Sequence, residues 1–454
     1  MRNLKKYLLL GFSCAVVFLQ AQTIDPSLAA SLQNSINNLR ISYQLAGISA
    51  AAYIPGQGTW QGVSGYSYGT VPIDSSMLFC IGSVTKTFVA SEIFKLVENQ
   101  QIALDDSVHS LLPPMNYVDP NITVRQLLGH KSGLNEYLGA NWQNSMFNDP
   151  TRIWYGPAVL DSFLTAPLGP PGSPWNYINT NYVLLGMIVE AQNSDSLHTV
   201  LRNHFLTPIG LNKIFMETFE PYTDTIPHNW SAPNLNPALA TDVAYVPHEA
   251  LWSSVEAAGG YFAKASDLAA WGYNLYSGNV LSNNSMNEML NFTNVSSSYF
   301  NGYGLGSMRF PYLSRTYWGH AGDYFGYASC MLYHPQDSVC VVVLVNQDCN
   351  VANVAKPLIN AIVNHLASGI ADQQQMNGVF VFPNPANETL TISLPAENEN
   401  CTIELFGLAG NLILQQQATG NTTRLNTADL SEGTYLVRVS SASAIFTQKI
   451  IIQH

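Results

Sequence analysis

Cys80-Ile81-Gly82-Ser83-Val84-Thr85-Lys86-Thr87-Phe88 is the stretch from which the rest of the chain can be read. A strand-rich start precedes it and an apolar helical pattern follows it, with Val89, Ile93, Leu96 and Val97 recurring on one face to about Glu98. Serine and lysine three residues apart on a helix share a face. With Ser83 at the helix start, the free main-chain N–H groups and the helix dipole point at whatever approaches its oxygen. A serine hydroxyl is a weak nucleophile without an adjacent base. A partly desolvated lysine loses its proton near neutral pH and can supply that base. Taken alone, the Ser-x-x-Lys spacing is also what a solvated helix face produces by chance. Its placement at the first turn of an apolar helix favours chemistry.

Working outward, Asp25-Pro26 reads as a helix start, with Leu28, Leu32, Ile36, Leu39 and Tyr43 at helical spacing. Strand-like runs follow at Gly47–Ile54 and Thr59–Tyr66 around a glycine-rich turn. The middle of the chain, about 100 to 260, mixes helical patterns with Pro- and Asn-rich loops, and Ser266-Asp267 is a candidate cap. Strands return near Tyr317, at Tyr327–Tyr333 and Ser338–Asn346, before an amphipathic helix carrying Leu358, Ile359, Ile362, Val363 and Leu366. The expected class is α+β: one antiparallel sheet built from both ends of the domain, flanked by helices, with a mostly helical insertion. Beyond Ala367 the character changes. Residues 368–378 read as a polar linker, and 379–454 as short alternating strands separated by glycines, a small all-β sandwich.

Composition narrows the setting. The chain has 454 residues, a net charge of −12 and only 11% charged residues. No basic cluster exists beyond the extreme N-terminus, which argues against nucleic-acid binding. Arg2, Lys5 and Lys6 precede an apolar run, Leu8 to Leu19, too short to span a bilayer. Residues 1–21 therefore read as an export signal, with maturation near Gln22 and no transmembrane segment expected in the mature chain. The remaining cysteines, Cys80, Cys330, Cys340, Cys349 and Cys401, form neither a disulfide scaffold nor a metal-ligand pattern. A Cys330–Cys340 bridge is conceivable, and buried free thiols are the plainer reading. No metal or cofactor is called for.

Two further stretches carry polar chemistry. Pro174-Trp175-Asn176-Tyr177-Ile178-Asn179-Thr180-Asn181-Tyr182 is a polar loop entering the apolar helix Val183–Val189. Tyr177 serves as a base only if nearby cations lower its pKa by several units, a task open to Lys86. Asn179 offers an amide to hold a substrate carbonyl and to orient Lys86. A second Tyr-x-Asn, Tyr299-Phe300-Asn301, has no apolar helix after it and reads as a surface loop. In Trp318-Gly319-His320-Ala321-Gly322-Asp323, a glycine on a strand lets substrate backbone come close. The N–H of Asp323, with that of Ser83, is positioned in this reading to form an oxyanion hole.

The three stretches, in this order, resemble the serine β-lactamase and penicillin-binding-protein superfamily, whose pattern is Ser-x-x-Lys, a Ser- or Tyr-x-Asn, then Lys-Thr-Gly or a variant. The likeness is to the branch of class C β-lactamases, D-alanyl-D-alanine carboxypeptidases, D-aminopeptidases and related esterases. Flanking stretches agree: Leu104-Asp105-Asp106, residues 122–134, Gly259-Gly260 and Tyr303-Gly304-Leu305-Gly306. The resemblance covers roughly residues 25–367. It implies that Ser83 is acylated, that Lys86 is its base or proton relay, and that Tyr177 moves the proton to and from the leaving group. It implies further that Asn179 orients, and that His320 and Gly322 line the opposite wall.

His320 stands where the lactamases carry lysine, and Ala321 where they carry threonine; both changes weaken the grip on a substrate carboxylate. Arg309 and Arg315 are candidate replacements for the lost cation. At its ordinary pKa of about 6.5, His320 is expected to titrate near neutrality. The expectation is a secreted serine hydrolase acting on D-amino-acid or cell-wall peptides, with a carboxylesterase or an inert peptidoglycan- or partner-binding relative as alternatives. The C-terminal region resembles the sorting domain of the type IX secretion system, through Phe382-Pro383-Asn384-Pro385, Leu405–Gly410, Gly433-Thr434-Tyr435 and Lys449-Ile450-Ile451. That resemblance implies the secretion machinery as partner and a secreted or surface-attached product, exported through the periplasm.

Overall fold

The computed structural model describes residues 24–368, 374–375, 379–394, 401–407, 411–418, 420–441 and 444–454. The expected export signal, and the expected linker apart from Ser368, Gln374 and Gln375, lie outside the described residues. The chain divides into two compact units, Met1–Asn364 and His365–His454.

The first unit is organised by a nine-stranded antiparallel sheet. Val339–Val345, a β-branched run buried along its whole length, lies near the middle of the order, paired with Gly47–Ile54 on one side and Tyr327–His334 on the other. Gly58–Tyr68 and Val71–Pro72 extend it beyond the first of these, and Arg315–Tyr324, Met308–Tyr312, Gly302–Tyr303 and Thr293–Asn294 beyond the second. Strands from the two ends of the unit thus form one sheet. On one face, helix Ala265–Tyr276 comes close because Gly272 has no side chain: a Cβ there would sit 2.5 Å from Cys340 Sγ and 2.7 Å from Met331 Sδ. Helix Pro26–Ser42 begins as expected, with Asp25 accepting from the Leu28 N–H at 2.9 Å.

Between the two groups of strands lies the helical insertion. Its centre is helix Lys86–Glu98, buried on almost every face, against helices Thr180–Asn193 and His248–Gly259. One local expectation is corrected and another is met. Helix Ala265–Tyr276 starts before Ser266-Asp267, and Asp267 accepts the Lys213 N–H at 2.9 Å rather than capping. Cys330 and Cys340 are buried free thiols: Cys330 pairs with Val343 and Cys340 with Tyr333, so the two are not cross-strand partners.

One feature of the sheet positions the site. Arg315–Tyr324 pairs with Tyr327–His334 along its length, whereas its other neighbour, Met308–Tyr312, reaches only as far as Gly319. Residues 320–324 therefore form an open edge. It lies against the turn Gly82–Thr85.

The second unit is all-β. Gln374–Gln375, Ala444–Ile452, Gly433–Ser440, Thr402–Gly407 and Leu412–Gln417 make one sheet, and Phe380–Phe382, Thr389–Ser393 and Thr422–Asn426 another. Leu390, Ile392 and Leu425 from the smaller sheet meet Ile403, Leu405, Val437, Val439 and Ile450 from the larger in a shared core. Period-two alternation supplies that core, as it must when each sheet has one buried face.

Candidate active site

Ser83 lies in a single 3-10 turn, Gly82–Thr85, that leads directly into the helix starting at Lys86. Gly82 adopts φ +46°, a left-handed conformation that favours glycine. Space demands glycine as well: a Cβ on Gly82 would lie 2.9 Å from the nitrogen of Asp323. Across the gap, a Cβ on Gly322 would lie 2.2 Å from Ile81 O and 2.6 Å from Ser83 N. The Ser83 turn and the open strand edge therefore meet backbone to backbone. Their closeness brings the main-chain nitrogens of Ser83 and Asp323 to the same junction.

Lys86 is fully buried, and its Nζ makes three hydrogen bonds: to Ser83 Oγ at 2.9 Å, Asn179 Oδ1 at 2.8 Å and Ala258 O at 2.7 Å. Burial lowers its pKa to about 7, opposed by the negative charges of Glu136 and Asp323. At neutral pH a substantial fraction of Lys86 is therefore unprotonated, and its lone pair is 2.9 Å from the serine oxygen.

Tyr177 behaves differently from expectation. Lys86 Nζ lies over its ring, 5.0 Å from the centroid, and the buried hydroxyl has no well-aligned hydrogen-bond partner. Burial drives the phenol pKa well above 10, with the nearby Ser83 hydroxyl opposing only in part. The expected lowering by Lys86 is thus corrected. A cation over the ring face cannot offset the loss of water around the oxygen, so Tyr177 holds its proton.

Asn179 is fixed by a residue the sequence did not single out. Glu136 Oε2 accepts both the Asn179 main-chain N–H, at 2.7 Å, and its side-chain amide, at 2.9 Å. The amide oxygen is then left facing Lys86. Glu136 lies in a loop, one residue before the buried Tyr137, and no spacing rule points to it.

His320 is wholly buried, and both ring nitrogens are engaged: Nδ1 with Ala321 O at 2.6 Å and Nε2 with Tyr303 Oη at 3.2 Å. A carbonyl only accepts, so Nδ1 carries the proton and the Tyr303 hydroxyl donates to Nε2. Tyr303 in turn accepts from His130 Nε2 at 3.1 Å, and His130 Nδ1 accepts from Asn181 Nδ2 at 3.0 Å. Ser132 donates to Asn181 Oδ1 at 2.6 Å and completes the series. Every member is satisfied with both histidines neutral. Burial and then the charge of Lys86 lower the His320 pKa to about 3. The expectation that His320 titrates near neutrality is corrected, because burial and the neighbouring Lys86 charge both disfavour the imidazolium.

Ser83, Lys86, Tyr177, Asn179, Gly322 and Asp323 come together at the junction of turn, helix and strand edge, with His320 buried beside them, its ring centroid 6.3 Å from that of Tyr177, rather than free in a cleft. Tyr299-Phe300-Asn301 is not a plain surface loop. Phe300 is buried, and Tyr299 lines a cavity beside Asp323. Arg309 is held by Asn301 and Asn294, and Arg315 by Asn360 and Asn364; neither lines that cavity.

A family model described as Beta-lactamase matches residues 22–363, and one described as a secretion system C-terminal sorting domain matches residues 380–453. Penicillin-binding protein 4* of Bacillus subtilis is 24% identical over 290 residues, 61% of this chain and 62% of that protein. Penicillin-binding protein 4 of Amycolatopsis lactamdurans is 28% identical over 190 residues, 40% of this chain and 48% of that protein. The chain thus matches less than two thirds of the length of these curated relatives. Among solved structures, D-amino acid amidase from Ochrobactrum anthropi SV3 superposes with a TM-score of 0.66 at 24% identity, covering 75% of this chain and 99% of that one. A D-stereospecific amidohydrolase from Streptomyces sp. superposes with a TM-score of 0.61 at 27% identity, covering 73% of this chain and 98% of that one. With the Ser83–Lys86 turn, the Tyr177–Asn179 loop and the open strand edge in one place, the chain belongs to the β-lactamase family and carries a C-terminal secretion sorting domain.

Proposed function

We propose that this protein is an exported serine hydrolase that forms an acyl-enzyme on Ser83 and cleaves amide bonds in D-amino-acid or cell-wall peptides. The observation that carries the reading is the Lys86 amine, near pKa 7 and 2.9 Å from Ser83 Oγ. In the proposed reaction, neutral Lys86 takes the serine proton as Oγ bonds to the substrate carbonyl carbon. The oxyanion sits between the N–H groups of Ser83 and Asp323. Collapse breaks the C–N bond, and the Tyr177 hydroxyl, protonated and without a partner, donates to the leaving nitrogen. Lys86 restores that proton to Tyr177. Water then attacks the ester, with the same groups working in reverse.

Substrate preference follows from charge. His320, neutral in its buried network, supplies no cation for a free carboxylate, and the cavity at Asp323 is lined by no lysine or arginine. That disfavours β-lactams. The likeness to a D-stereospecific amidohydrolase supports a D-configured acyl group. The sorting domain directs the product to secretion or the cell surface, with the type IX machinery as its partner.

The test is a comparison of D-amino-acid amides, p-nitrophenyl esters and nitrocefin on the purified chain, with fluorophosphonate labelling of Ser83. D-amides should turn over, nitrocefin should not, and Ser83→Ala should abolish both turnover and label. Hydrolysis by Ser83→Ala at the unmutated rate would sink the mechanism.

A further inference from the structure

A cavity of about 440 Å³ opens at the free strand edge, walled by Ala321, Gly322 and Asp323 and by the loops around Leu235, Tyr299 and Val351. Its size is that of a small-molecule subsite. Gly322 lines the cavity and also packs against the serine turn, where a Cβ would lie 2.6 Å from Ser83 N, so the cavity adjoins the site although Ser83, Lys86, Tyr177 and Asn179 do not line it. Most of its lining side chains are apolar, Ala232, Pro233, Leu235, Val351 and Ala352 among them.

Two carboxylates lie in this wall, and they differ. Asp348 is committed: Oδ2 accepts from Ser231 Oγ at 3.0 Å and Ala232 N at 2.9 Å, and Oδ1 from Gly326 N at 3.0 Å. Asp323 has no hydrogen-bond or ion-pair partner among the described residues. Its charge reaches the Tyr299 phenol, whose pKa burial and then Asp323 push up to about 12.

The walls are built rather than incidental. Lys356 Nζ donates to Tyr299 O at 2.8 Å and pins that loop. Asn234 and Leu235 both hold left-handed backbone, φ +54° and +55°, a costly conformation for leucine that leaves its side chain exposed at the rim.

We infer that this cavity is the substrate-recognition subsite for a primary ammonium group bearing an apolar side chain, with Asp323 binding the ammonium and Leu235, Tyr299 and Val351 the side chain. The inference deepens the proposed function and rests on it for the word substrate. It narrows the substrates to those with an unblocked amino group beside a bulky apolar residue. Acyl groups with a blocked amine lose the Asp323 contact.

The experiment separates the subsite from the hydrolase. Calorimetric titration of the full chain with phenethylamine and with 2-phenylethanol reads binding without turnover, and fluorophosphonate labelling of Ser83 reads the hydrolase. The amine should bind about tenfold or more tightly than the alcohol, the size of one charge-assisted contact. Asp323→Asn, an exposed and nearly isosteric change, should bring the amine to the level of the alcohol. Leu235→Asn, which suits the left-handed backbone, should weaken both ligands severalfold. Equal binding of amine and alcohol, absence of binding, or an amine affinity unmoved by Asp323→Asn overturns the subsite, whether or not Ser83 is labelled. Amine binding that depends on Asp323 upholds it, even if Ser83 proves unreactive and the hydrolase reading falls.

Discussion

Glu136 grips Asn179 twice with one oxygen, at the main-chain N–H and at the side-chain amide, and so commits the amide oxygen to Lys86. The same carboxylate partly offsets the desolvation that lowers the Lys86 pKa. One loop residue thus bears on both the geometry and the proton affinity of the base, although burial is the larger influence on the latter.

Glu136→Gln tests both effects. Losing the negative charge removes a contribution that raises the Lys86 pKa, so the acid limb of kcat/KM should move to lower pH, by up to about one unit. A freed Asn179 should lower kcat by about tenfold or more. A pH–rate profile on a D-amino-acid amide reads both, and an unmoved limb would show that Glu136 has no influence on the base.

Tyr177→Phe should separate leaving-group protonation from base catalysis. Removing a general acid costs roughly 10²-fold or more in rate. Amide hydrolysis should lose about that much, whereas p-nitrophenyl esters, whose leaving group departs as an anion, should lose far less. The acid limb near pH 7 belongs to Lys86 and should stay in place. Equal losses for amide and ester would contradict the assignment.

Tyr303→Phe should be destabilising, because the tyrosine is buried edge-on against Tyr177, 5.7 Å between ring centroids, and its hydroxyl is fully used. Its hydroxyl donates to His320 Nε2 and accepts from His130 Nε2, so the change strands two buried groups. Each unsatisfied group costs about 1–3 kcal/mol. Urea denaturation should register a loss of that order, and a stability unchanged within error would mean that the network contributes nothing.

His130 and His320 also give stability a pH dependence. Their pKa values are lowered by folding, His320 to about 3, against about 6.5 in the unfolded chain. Below pH 6.5 the unfolded state binds more protons, so this stabilisation is present above that value and is lost as pH falls towards 3. Lys86 acts in a higher window. Its folded pKa of about 7 lies below its ordinary value of 10.5, so the cost of burying it is full below pH 7 and relieved as pH rises towards 10.5. Lys86→Met should therefore raise Tm most at pH 6, with the gain shrinking by pH 9. Thermal melts across pH 4–9 check both signs, and a gain that grows with pH would reverse the account.

How much could be read from residues alone depends on the range over which each cause acts. The Ser83 turn, the strand Gly47–Ile54 and the helix opened by Asp25-Pro26 are local matters of cap, spacing and β-branched runs. Glu136 was invisible because its partner lies 43 residues away and only the fold brings them together. Burial is equally non-local. It reversed the expected direction at Tyr177, removed His320 from the neutral range, and turned Tyr299 from a loop residue into a cavity wall. The small-residue requirements at Gly82 and Gly322 were half legible, as glycines at a turn and on a strand, while their mutual contact was not.

The sheet order has a consequence for how this chain is made and exported. Ile48 pairs with Val345, so the strand near the start of the first unit has its second neighbour only once almost the whole unit has been synthesised. Until then one edge of Gly47–Ile54, apolar and buried on completion, has no partner strand, which is the kind of exposed edge that invites aggregation. The sorting sequence follows soon after the strand that closes that edge. The match to the sorting domain begins at residue 380, after Val339–Val345, so a chain long enough to carry that address already holds every strand of the first sheet.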